Sequence, residues 1–372
     1  MRRSSRGNAV PTRFANASLV VLAILVGWTL TEVAARSIAG PPRYLGDRVV
    51  LFSKPHWQHA PDGSLRYAPH SRVREVAVYG RHFEYDVTFQ TNNLGFIDAR
   101  DYHKAGAGDR RTRFAFVGDS MTAGYHGGAP WVPLLRDQAE RKNPAVEIYN
   151  LGIGGVGLAQ FYMLLKHVEG ELDIDRIVVL FITHDLFRSR VNVIEDGGLI
   201  YVCPVEISRS KCVSAETRMM VMRDREMTQP EILEAIRERG LVSEPSGLGE
   251  WFERNTYLGS ILARDVYGRE SFEETARALG KHFRELALFE QFRDGFPGKR
   301  IVFVHLPMKE EAIHETYYLD VSADVRRAGV GYVSILERCD LEESDYHDVD
   351  PHPNRSGYEK IRRCVGRELG LL

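Results

Sequence analysis

From residue 113 onward the chain alternates short apolar runs with stretches of helical period. The runs are RFAFV (113–117), VEIYNL (146–151), RIVVLFI (176–182), RIVFVHL (300–306) and GYVSIL (331–336). Most are continuous rather than alternating, as expected of parallel strands covered on both faces. Between them, AQFYMLLKHVE sets Phe161, Leu164, Leu165 and Val168 on one helical stripe. SFEETARALGKHFRELALFEQF (271–292) reads as a longer amphipathic helix, and SGYEKIRRCVGREL closes the chain. Strand and helix in alternation predict a three-layer α/β/α sandwich with a central parallel sheet and right-handed crossovers.

Two segments depart from that rhythm. REVAVYGRHFEYDVTFQTN has a period of two around Gly80-Arg81, which predicts a hairpin with one buried face. The stretch before it, Pro41 to Pro69, reads as irregular or linker-like, and together they form a small β-rich lead-in over 41–110. The second departure, about 186–269, is too long for an ordinary crossover. It reads as an insertion in the 111–372 domain, with a hairpin at Asp196-Gly197-Gly198 and a helix started by the capping-box sequence TQPE (228–231). An insertion leaving such a sheet lies near the ligand crevice and is expected to shape substrate access.

The N-terminus, 1–40, changes the picture of location. Arg2, Arg3, Arg6 and Arg13 precede an uncharged apolar stretch from Phe14 to Thr31. That stretch is at the short end of the ~17–25 residues that span a bilayer. The basic flank predicts a single-pass anchor in an inner membrane, with the remainder facing the periplasm or cell exterior. SIAG (37–40) offers the alternative of a signal-peptidase site and a secreted product. Four cysteines suit an oxidising compartment. They allow three pairings, and Cys203 with Cys212 and Cys339 with Cys364 are the sequence-local ones. The spacing of a zinc site is absent.

Composition adds mainly exclusions. Of 372 residues 44% are hydrophobic and 27% charged, a globular balance, and the net charge of -2 gives nucleic acid no basic footprint.

The candidate chemistry sits where strands end. Gly118-Asp119-Ser120 follows the first sheet strand, at the carboxyl edge where open α/β sheets bind ligands. A helix beginning there would turn its first N–H groups on a developing negative charge. A serine nucleophile needs a base, and DYHDVDPHPNRSGYEKI (345–361) offers His352 between two prolines, with Asp348 and Asp350 upstream to orient it. His126, without an obvious orienting carboxylate, and His167, within a helix, are weaker candidates. NLGIGGVGLAQ (150–160) matches the dinucleotide pattern Gly-x-Gly-x-x-Gly. It follows the second strand, however, and lacks the acidic residue at the required distance. Gly152 is instead placed to lend its N–H to an oxyanion. Thr183, His184 and Asp185 leave the third strand toward the same edge.

In order, GDS 118–120, NLG 150–152, ITHD 182–185 and the block around His352 resemble the SGNH/GDSL-type hydrolases, in the N-terminally membrane-anchored bacterial form. The resemblance implies a flavodoxin-like sheet and a serine esterase without metal or organic cofactor. Ser120 would be the nucleophile, His352 the base and Asp350 its orienter, with Asp348 as the alternate. Ser120, Gly152 and His184 would form the oxyanion hole. Two positions depart from the family pattern: His184 replaces the usual Asn, and Val349 stands where Asp is expected three residues before His352. The implied substrate is an acyl ester, such as acetyl, on an envelope glycan, a lipid or a small molecule. An O-acyltransferase would use the same residues, and a non-catalytic envelope binding module is the reading that the two departures favour.

Overall fold

The computed structural model describes residues 11–39, 48–59, 63–215, 217–242, 247–262, 286–314, 319–336 and 338–372. The chain forms two compact units, one of 1–45 with 244–269 and the other of 46–243 with 270–372. The basic tail through Arg6, Gly40 of SIAG and the 271–285 part of the expected long helix lie outside the described residues.

The larger unit is built on two main sheets, with a two-stranded antiparallel one formed by Trp57–His59 and Leu65–Tyr67. Its strands in chain order are β1 (Arg48–Phe52), β2 (Trp57–His59), β3 (Leu65–Tyr67), β4 (Arg72–Tyr79), β5 (His82–Gln90), β6 (Thr112–Gly118), β7 (Val146–Gly152), β8 (Arg176–Phe181), β9 (Val191–Asp196), β10 (Leu199–Pro204), β11 (Met219–Val221), β12 (Arg300–His305) and β13 (Gly331–Ser334). The five runs read as parallel strands form one sheet in the order β13-β12-β8-β6-β7, and every pairing in it is parallel. Their apolar continuity has a simple cause. On β6, Ala115 and Val117 face one helical layer, where Phe161, Leu165, Phe289 and Phe292 pack. Phe114 and Phe116 face the other, with Trp131, Leu135, Ile361 and Val365. Leu158–Val168, Leu286–Gly295 and Ser322–Arg327 cover the first face; Trp131–Lys142 and Arg355–Glu368 cover the second. This is the expected three-layer α/β/α sandwich.

The second sheet corrects the reading of 41–69 as irregular. Its order is β5-β4-β1-β11-β10-β9, so the lead-in and the insertion share one six-stranded sheet. RVVLF, flanked by Pro and Gly, is one of its inner strands, antiparallel to β4 and parallel to β11. Val49 and Leu51 pack with Val76, Val78 and Met220 against Ile232 and Ala235 of Gln229–Glu238, the helix started by TQPE. Val50 and Phe52 point to the opposite face, because side chains alternate along a strand. β9 and β10 form the hairpin expected at Gly197-Gly198, both of which have left-handed φ. Both sequence-local cysteine pairs are bonded, Cys203–Cys212 and Cys339–Cys364, with Cα–Cα distances of 5.9 and 5.7 Å.

The smaller unit contains the helix Pro11–Ala39 and two short helices, Leu248–Asn255 and Tyr257–Leu262. Ser18–Ile38 is long and apolar enough to cross a membrane, and none of its apolar window is buried.

Candidate active site

β6 delivers Ser120 to the carboxyl edge of the parallel sheet. Asp119 caps the turn Ser120–Ala123, its Oδ1 accepting from Met121 N at 2.8 Å, and Gly124 ends the turn in the left-handed region. Gly118 cannot carry a side chain, since a Cβ would fall 2.4 Å from the Leu180 carbonyl oxygen. Ser120 is the first residue of its turn, where backbone N–H groups have no partner within the helix.

His352 arrives from the far end of the chain. Tyr346 pairs with Pro353, and Asn354 caps the last helix through Ser356 N and Gly357 N while its Nδ2 holds the carbonyls of Ser344 and Tyr346. The loop is thereby fixed. Ser120 Oγ donates to His352 Nε2 at 2.8 Å, and His352 Nδ1 meets Asp350 Oδ1. Of the two upstream carboxylates it is Asp350 that reaches the imidazole. In the Asp348 region, Lys309 Nζ instead ties down the carbonyls of His347 and Asp348.

Asp350 is fully buried and every approach to it is occupied. Its Oδ1 also accepts from His352 N at 3.1 Å, and its Oδ2 accepts from Tyr79 OH and from Arg48 Nη2, each at 2.9 Å. Burial pushes this carboxyl up, but Arg48 first and then His352 outweigh that, holding it well below the usual carboxylate range. Arg48 lies on β1 and Tyr79 on β4. The sequence reading missed both, because a lone Arg before an apolar run looks like a solvated strand end. Replacing Arg48 by Met should strand Asp350 as a buried, half-partnered charge. The expected cost is ~3–5 kcal/mol of stability, measured by urea unfolding; an unchanged midpoint would contradict the pairing.

A second histidine stands behind the first. The ring of His126 stacks on that of His352 with centroids 3.8 Å apart and planes 18° apart, and Tyr125 stacks on its other side at 4.1 Å. The sequence around His126 offers it no carboxylate, yet Glu75 of β4 lies 3.7 Å from its Nε2 and in turn accepts from Tyr85 OH at 2.9 Å. The available signal was Glu75 itself, an acid in the strand register that also places Val73, Ala77 and Tyr79 inward. His167, by contrast, pairs with Glu171 in the turn just after its own helix.

Burial, reinforced by the neighbouring His352, lowers His126 to about 4, and burial lowers His56 to about 4. Both sit below the unfolded value, so between about pH 6.5 and 4 the unfolded chain binds protons that the folded chain refuses. Their contribution is intact above pH 6.5 and is lost as pH falls through that window, on the order of 3 kcal/mol for each. Urea midpoints should therefore drop between pH 7 and 4.5, and less steeply in His126→Gln. Parallel pH profiles for the two proteins would contradict this.

Two expected oxyanion donors are placed elsewhere. Gly152 is buried, its N–H donates to Asn150 Oδ1 at 3.1 Å, and a Cβ there would fall 2.2 Å from Ala123 N. Its smallness lets β7 pack against the nucleophile turn. His184 directs Nδ1 toward Met308 Sδ at 3.1 Å and does not line the cavity. Beside it, Asp185 and Asp119 share Arg188, at 2.7 and 3.2 Å. The glycines that do line the cavity with Ser120 are Gly154 and Gly155. Gly154 N donates to Tyr67 OH at 2.8 Å, and Gly155 has a left-handed φ of 78°.

The cavity in front of Ser120 measures about 210 Å³. Opposite the serine it is walled by Val50, Phe52, Met219, Val202, Val193 and Val191, alternate residues on one face of the six-stranded sheet. Lead-in and insertion thus supply the apolar wall, the lead-in adds Arg48 and Glu75, and the loops at the carboxyl edge of the parallel sheet bring Ser120 and His352.

No family model and no curated relative matches the chain. Solved structures similar to it include a two-domain esterase active on acetylated mannans, 13% identical over 70% of this chain with a TM-score of 0.33. This chain spans 50% of that esterase's length. Others are TesA (14%, covering 70% of this chain and 100% of that one, 0.35) and a lipase/acylhydrolase from Enterococcus faecalis (12%, 69% and 95%, 0.33).

Proposed function

We propose that the chain is a serine ester hydrolase acting outside the cytoplasm. The observation that carries this is the line Ser120 Oγ, His352 Nε2, His352 Nδ1, Asp350, with 2.8 Å between the first two atoms. As the ester carbonyl enters, Ser120 Oγ attacks its carbon and passes its proton to His352 Nε2. Asp350 keeps the other ring proton on Nδ1 and stabilises the imidazolium. The carbonyl oxygen becomes an oxyanion, for which the N–H groups of Ser120 and Gly155 are the donors this reading assigns. Collapse expels the alcohol, which takes the proton from His352, and leaves an acyl-Ser120 ester. Water, deprotonated by the same imidazole, attacks that ester and releases the acid.

Asp350 is the natural partner for this cycle because Arg48 and Tyr79 keep it ionised without touching Nδ1. His126, held neutral, stacks beside His352 without adding a second positive charge. The substrate is an acyl ester of an envelope glycan, a lipid or a small molecule, with the Phe14–Thr31 stretch keeping the enzyme at the inner membrane. The test is to quench a reaction with p-nitrophenyl acetate in acid and measure intact mass. A species heavier by one acetyl group, with the label on the peptide holding Ser120, is expected. Turnover with no label, or a label elsewhere, would overturn the mechanism. An O-acyltransferase would show itself in the same assay if an added glycan hydroxyl took the acetyl group in place of water.

A further inference from the structure

We propose that the helix Leu248–Asn255 lies in the outer interface of the bilayer, seated on the distal end of an N-terminal helix that stays attached to the chain. The proposal rests on the membrane-anchor reading given above and concerns only the smaller unit.

Glu32 is the first charged residue after Arg13, and so marks the outer limit of the uncharged stretch Phe14–Thr31. A carboxylate at that depth needs donors, and the insertion supplies them. Tyr257 N donates to both oxygens of Glu32 at 2.8 Å and Leu258 N to one at 3.3 Å, while Arg36 Nε donates from one turn further along at 2.7 Å. Arg36 also donates to the carbonyl of Asn255, the last residue of the short helix. Four residues before Glu32, about 6 Å along the axis, Trp28 meets Phe252 edge to face at 5.8 Å. Two contacts thus hold Leu248–Asn255 itself, and the Glu32 bonds hold the start of the helix that follows it, beside the point where the apolar stretch ends.

That helix carries an exposed apolar stripe. Leu248, Trp251 and Phe252 are 77%, 47% and 41% exposed, at the spacing i, i+3, i+4 that makes a single stripe. The stripe continues the exposed apolar surface of the N-terminal helix, where Leu30 and Val33 are also open. An aromatic pair beside the end of a membrane span, with charged partners just beyond it, is the distribution that the headgroup region favours. The occupant of this face is therefore lipid. Removal of the first helix at SIAG would strip Leu258 and Tyr257 of their acceptor and leave Phe252 without Trp28, so the contacts fit the uncleaved form.

The test uses the full chain in vesicles of phosphatidylethanolamine and phosphatidylglycerol whose acyl chains carry bromine either near the headgroup or near the terminal methyl. The emission lost on Trp251→Phe isolates Trp251. The inference expects shallow bromines to remove more than half of that emission and deep bromines to remove less, and expects Glu32→Ala to weaken the shallow quenching. Emission indifferent to both lipids, quenching strongest with deep bromines, or no change on Glu32→Ala would each overturn it. Intact mass of the membrane-extracted chain separates the two levels. A product starting after residue 39 defeats the anchor reading itself, whereas a full-length chain with Trp251 in water defeats only the interfacial seat.

Discussion

Ser120→Ala is expected to lower ester turnover by a factor on the order of 10⁶, close to what remains from the oxyanion donors and binding alone. Among the described residues Ser120 Oγ is the hydroxyl bonded to His352 Nε2, and that imidazole is held from behind by Asp350 and on its face by His126. The substitution removes one partly buried oxygen and leaves Asp119 free to cap the turn through Met121 N. Stability should stay within ~1 kcal/mol of the parent, a typical value for the loss of one hydrogen bond. Initial rates with p-nitrophenyl acetate beside urea unfolding separate the two effects. A variant that keeps a tenth of the parent rate would show that Ser120 is not the nucleophile.

The second large effect is expected at Asp350→Asn. The amide keeps the shape but offers His352 Nδ1 the wrong hydrogen-bonding choice, and in the serine protease template the corresponding change costs about 10⁴ in turnover. Here a further penalty arises. Arg48 loses its anionic partner, and Tyr79 loses its acceptor unless the amide oxygen faces it. Asp350→Asn should therefore lose both rate and stability, unlike Ser120→Ala. The rate loss should appear in kcat with KM little changed, because Asp350 is buried behind the imidazole. Asp348→Asn is the matched comparison and should leave the rate within a few-fold. A large loss at Asp348 with little at Asp350 would reverse the assignment of the orienter.

The parallel sheet was legible because most of its strands are buried on both faces, so apolar runs such as RIVVLF stand out without any knowledge of their neighbours. Ser120 and His352 were legible for a related reason: each sits at a strand or helix boundary, where sequence punctuation is strongest. β1 was not. RVVLF is a short run among prolines and glycines, and what makes it an inner strand is its pairing with β4 on one side and the distant β11 on the other. With β1 went Arg48, whose role depends on meeting Asp350 from the opposite end of the chain. The glycine run 152–157 posed a different difficulty. Four glycines were visible, but which one faces the cavity depends on how the turn is held. Tyr67 holds it at Gly154, whereas Gly152 is consumed in packing. His184 turns its Nδ1 toward Met308, brought from after β12, a neighbour that its own sequence block does not announce.

The most direct test of the central claim is covalent labelling of the full chain with a fluorophosphonate, read by intact mass for the parent and for Ser120→Ala. An activated serine predicts one adduct per chain on the parent, located at Ser120, and none on the variant. A folded parent that takes up no label, or a variant that labels as readily as the parent, would contradict the Ser120–His352–Asp350 mechanism.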